Sequence, residues 1–108
     1  MAKFEDFLTS FQTEFKAFAT TFGEKFKDAA VEHGNDFFNN SKEDLQQWTE
    51  SLVNGTLTKE EFEWILASKK DALEIVALEK IGLTKVACDR FVKGVLDLMV
   101  SSAAKTFL

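Results

Sequence analysis

The chain holds one histidine, His33, and one cysteine, Cys88, beside 18 carboxylates in 108 residues. A zinc site needs several His and Cys at set spacings, which this pair does not supply. Cys88 has no histidine near it in sequence and falls on the apolar side of its segment, so it reads as a small buried hydrophobe. His33 stands beside Gly34 at an expected helix end, where a cation would suit the helix dipole. Di-iron sites use inward Glu with Glu-x-x-His pairs, and His33 is not part of one. Glu43-Asp44 and Glu60-Glu61 fall in expected first helical turns, where capping and the dipole account for them. There is no Gly-rich phosphate loop and no nucleophile motif. The expectation is a non-enzymatic protein without metal, cofactor or small-molecule substrate.

Two stretches resemble ligand-binding motifs. Residues 54–62, Asn-Gly-Thr-Leu-Thr-Lys-Glu-Glu-Phe, resemble the second half of an EF-hand loop, with Gly55 as the turn glycine and Glu61 as the closing carboxylate. The first half departs from that pattern. Glu50 stands where Asp is usual and Leu52 where an oxygen donor is required, so calcium is not expected. Residues 78–91 resemble a helix-turn-helix, with Gly82 in the turn and Thr84 capping a recognition helix. Such a helix would offer Lys85, Arg90 and Lys93 to a DNA duplex. Leu78 replaces the small residue expected before the glycine, Asp89 adjoins the basic residues, and the helix continues as an apolar core element. DNA binding is therefore an alternative reading only.

Composition narrows the setting. The formal net charge is -5, which disfavours nucleic acid and anionic lipid. Only residues 83–108 are net positive, with four basic residues against two acids. A lone cysteine permits no intrachain disulfide. Glu5 and Asp6 interrupt any apolar leader, and apolar runs never exceed four residues, so a cytoplasmic protein outside the membrane is expected.

The elements follow from apolar spacing. Phe4, Phe7, Phe11, Phe15, Phe18, Phe22 and Phe26 recur at spacings of 3, 4, 4, 3, 4 and 4, an 11-residue repeat close to the α-helical period. On one helix the seven rings span an arc of roughly 100° and a length of about 33 Å. This predicts a long amphipathic helix over 3–33, ended by Gly34, with Phe37 and Phe38 in a loop that folds back as a plug. Ser41 would cap a short helix over 42–53, closed by Asn54-Gly55. Thr58 and Glu61 form a capping box that opens a helix over 59–81. Thr84 caps the last helix, 85–107, whose broad apolar face marks it as central.

The expected fold is all-α, an antiparallel bundle of about four helices in one domain (1–108). Within it, 1–34 is the long helix and 41–108 a three-helix remainder. Helix 59–81 carries a second apolar face, Trp64, Ile75 and Leu78, opposite its main stripe, and four helices hardly cover both. Self-association, with a homodimer favoured, or binding of another protein is therefore expected. The Phe stripe is expected either to pack on helices 59–81 and 85–107 of its own chain or to meet a partner; in the second case it and the Trp64, Ile75 and Leu78 face are the candidate contacts. On this reading Phe15 and Phe18 changed to Ser would dissociate an oligomer and leave the helices. A coat on a membrane or apolar granule through the Phe stripe is a further alternative, although the stripe's polar flank is Thr-rich rather than Lys/Arg-rich.

Overall fold

A computed structural model describes residues 2–107, with side chains from Phe4 to Phe107. Four helical rods pack as a bundle, and no strand occurs among the described residues. The first rod is α1 (Ala2–Ala19), which tightens into a 3-10 turn at Thr20–Phe22. The second is α2 (Glu24–Asn54). The third is composite: α3 (Lys59–Leu66), a 3-10 turn (Ala67–Lys69), α4 (Lys70–Ile75) and a wide π-type turn (Val76–Ile81). The fourth is α5 (Lys85–Phe107).

Contacts across the rods fix their directions. Phe11 of α1 meets Phe38 of α2 and Phe15 faces Gly34, while Phe7 meets Phe107 and Phe22 meets Phe91 of α5. In both pairs residue numbers rise along one helix as they fall along the other, so α1 is antiparallel to α2 and to α5. Lys69 pairs with Asp44 at 2.7 Å between the third rod and α2. The bundle extends 41 × 23 × 20 Å.

The chain breaks at Gly23, not at Gly34–Ser41 as the Phe repeat implied. Thr20 and Thr21 turn their hydroxyls back onto the carbonyls of Ala17 and Phe18, at 2.6 and 2.7 Å, competing with the helix ladder. Gly23 then adopts φ 89°, ψ 159°, a region open essentially to glycine alone. Its carbonyl accepts from the N–H groups of Phe26 and Lys27 to start α2. The 11-residue repeat thus runs over two helices folded against each other, with Phe26 on the second.

Gly34, Phe37, Phe38 and Ser41 lie inside α2, so the expected loop, plug and Ser41 cap are absent and His33 is mid-helix rather than at a helix end. Gly34 does not take a positive φ. It is small for a different reason: a Cβ there would overlap the ring of Phe15. Gly94 in α5 meets the ring of Phe18 in the same way. Two glycines thus form sockets for two rings of α1.

The C-terminal half follows the sequence expectation closely. Gly55, at φ 78°, closes α2, with Gly55 N–H donating to Leu52 and Thr56 N–H to Ser51. This is a Schellman closure. The Thr58–Glu61 capping box forms in both directions, at 2.9 and 3.1 Å. Gly82, at φ 84°, ends the third rod, and the Thr84 hydroxyl accepts from Ala87 N–H to open α5. Ala77 and Ile81, at the two ends of the π-type turn's inner side, are both buried.

Candidate functional site

The Phe stripe lies inside the chain's own core. Phe4, Phe7, Phe11, Phe15 and Phe22 are buried, and Phe18 and Phe26 are half-buried against them. Phe38 and Phe91 receive the stripe, with Phe11 edge-on to Phe38 at 4.1 Å and Phe15 edge-on to both. Tilted and edge-to-face rings at these distances add favourable quadrupole contacts to the burial itself. In this fold the stripe is no free surface, neither for a partner nor for a membrane. Serine at positions 15 and 18 would therefore injure the monomer's core rather than separate intact subunits.

The second apolar face is open. Trp64 is 80% exposed, Ile75 51% and Leu78 45%. They lie on the side of the third rod away from its buried residues Phe62, Leu66, Leu73 and Ala77. Eleven residues, about three turns, separate Trp64 from Ile75, and Leu78 follows almost one turn later. The strip is therefore about 21 Å long. An open groove beside Trp64 is lined by Ile65, Ala67 and Ser68. Asp71 falls on the same side between Ser68 and Ile75, so a charge interrupts the strip. The capping box fixes the start of the rod, and the Lys69–Asp44 bridge, with Lys69 also 5.7 Å over the Trp48 ring, ties the rod to α2. Two more aliphatic residues, Val53 and Val86, are exposed. No sequence signal distinguishes them, since each stands beside a helix end.

The basic residues of the helix-turn-helix reading are differently engaged. The Arg90 guanidinium lies 4.1 Å over the Phe22 ring and donates to the Thr21 carbonyl at 3.3 Å. It therefore closes the 3-10 turn that ends the first rod, where unpaired carbonyls collect. Lys93 lines a groove with Lys70 that also holds Glu74, Asp89 and Asp97, an environment poorly matched to phosphate. Lys85 is exposed at the start of α5.

The groups that might have done chemistry are dispersed. Cys88 is buried, and desolvation, followed by the nearby charges of Glu74 and Asp89, pushes its thiol above the ordinary range. A thiol so placed is a weak nucleophile. His33 borders a groove of about 520 Å³ between α2 and the third rod, with Asp36, Asn40 and Lys80 at its rim. Glu61 spends its carboxylate on the Thr58 N–H. Among the described residues no three His, Cys, Asp or Glu side chains gather as a metal site, and no helix is long and apolar enough to cross a membrane. No protein-family model matches the chain, and neither a curated protein nor a solved structure shows significant similarity to it.

Proposed function

We propose that this is a small non-enzymatic helical protein that acts by protein–protein interaction, self-association first. Its contact surface is the outer strip of the third rod. The observation that carries the reading is Trp64, a large aromatic 80% exposed on the outer side of the third rod. Trp is costly to leave in water and is enriched among residues that dominate binding energies. Ile75 and Leu78 extend the contact along the same side. A contact carried on helical backbone loses little backbone entropy on docking, which favours recognition by a preformed face. A reducing, cytoplasmic setting belongs to the same reading and suits the single free thiol, Cys88.

Light scattering across a dilution series tests the proposal. A dimer or larger species is expected, reverting to monomer when Trp64→Ser and Leu78→Ser are combined, with helix content unchanged. A native protein that remains monomeric at all concentrations would refute self-association. A dimer indifferent to those two changes would refute the assigned surface.

A further inference from the structure

We propose that α1 exchanges between two copies of this chain, the α1–α2 connection opening at Gly23 to give one continuous helix across residues 2–54. The first support is the Phe repeat. It crosses Gly23 without a change of step, from Phe18 to Phe22 to Phe26, so the straight helix would keep those rings on one face. The second is the connection itself. Two antiparallel helices are joined through a 3-10 turn and the single residue Gly23, whose Cα has no neighbour within 4 Å of where a side chain would begin. Opening therefore requires new backbone angles over very few residues and disturbs no packing at Gly23. Short hinges of this kind invite exchange.

The third support identifies the partner. Phe15 seats over Gly34, Phe18 over Gly94, and Glu14 receives Ser102 at 3.2 Å and Lys105 at 3.3 Å. A displaced α1 finds this set of sockets only in a second copy. Arg90 opposes opening, since it holds the Thr21 carbonyl and the Phe22 ring at the hinge.

The exchange is tested independently of the outer strip by working in a Trp64→Ser, Cys88→Ala background. Glu14→Cys and Lys105→Cys place one thiol on each side of the α1–α5 contact, for joining by a short bismaleimide. The protein is unfolded, refolded at rising concentrations, diluted and then cross-linked. An interchain product that grows with refolding concentration is expected. Gly23→Ala should raise its share at least about fivefold per exchanged chain, because alanine favours the continuous helix over the glycine-only turn. Arg90→Ala should raise it as well. Intrachain product alone at every concentration, with the native hinge and with any variant that folds, would overturn the proposal. The native-hinge series decides the matter even where a variant fails to fold.

Discussion

The chain carries two apolar stripes of helical period, and they meet opposite fates. The Phe stripe of α1 disappears into the bundle, whereas Trp64, Ile75 and Leu78 stay in water. Spacing does not separate them, since Trp64 and Ile75 are also eleven residues apart. What separates them is the counterpart. Opposite α1 stand Gly34, Phe38, Phe91 and Gly94, two rings and two missing side chains that let the helices close. Among the described residues, no element covers the outer side of the third rod. Apolar periodicity states what a helix can bury, and a complementary surface decides whether it does.

The sharpest way to test this contrast is to truncate one residue from each stripe. Phe15→Ala should cost about 3–5 kcal/mol, the range for emptying an aromatic core site. Trp64→Ala should change the monomer by less than about 0.5 kcal/mol, as exposed positions do. Urea midpoints for the two variants measure the difference, and equal losses would erase the distinction. The next effect fills the sockets instead of emptying them. Gly34→Ala and Gly94→Ala should each destabilise, because overpacking costs about 1–3 kcal/mol while alanine returns about 1 kcal/mol of helix propensity. A thermal melt that rises for either would show that its facing ring yields freely.

A smaller effect concerns how α1 is held in register. Glu14→Gln should cost about 1 kcal/mol by denaturant titration, since the carboxylate is partly screened but serves the buried Ser102 hydroxyl and Lys105. The smallest is a pH effect at Cys88. Its folded thiol titrates above the ordinary value of 9.0, so the folded state holds the proton after the unfolded chain has begun to lose it. The contribution is fully present below that value and is lost as pH rises through the folded value. The native protein should therefore lose more stability at alkaline pH than Cys88→Ala does, as measured by paired urea titrations. Parallel slopes would remove the effect.

Much of the fold is legible in the sequence, and its one large misreading is instructive. The rods over 59–81 and 85–107 are announced by local signals that act within a turn: the Thr58–Glu61 box, Thr84 as cap, and the glycines at 55 and 82. In the N-terminal half two glycines exchange roles. Gly23 is the turn and Gly34 the close approach, yet both are single glycines within helical patterns. Telling them apart required knowing that Phe15 lies against Gly34, a contact between residues far apart in the chain. The Thr20-Thr21 pair was the available local clue, since hydroxyls that bond back onto the preceding turn favour an ending there. The outer strip was legible because it opposed a stripe already assigned to the core. Val53 and Val86 were not, because a lone valine beside a helix end carries no period.

The glycine sockets tie distant positions into shared volumes. Space at position 34 and bulk at position 15 form one quantity, as do those at 94 and 18, and neither member can vary alone without a hole or a collision. Evolutionary drift at these sites would proceed as trades, a smaller group on α1 accompanied by a larger one on the facing helix. Aligned relatives would record that as correlated substitution. The same accounting gives a designer a handle: moving bulk from α1 to the facing glycine preserves the core while recoding which chains can pair.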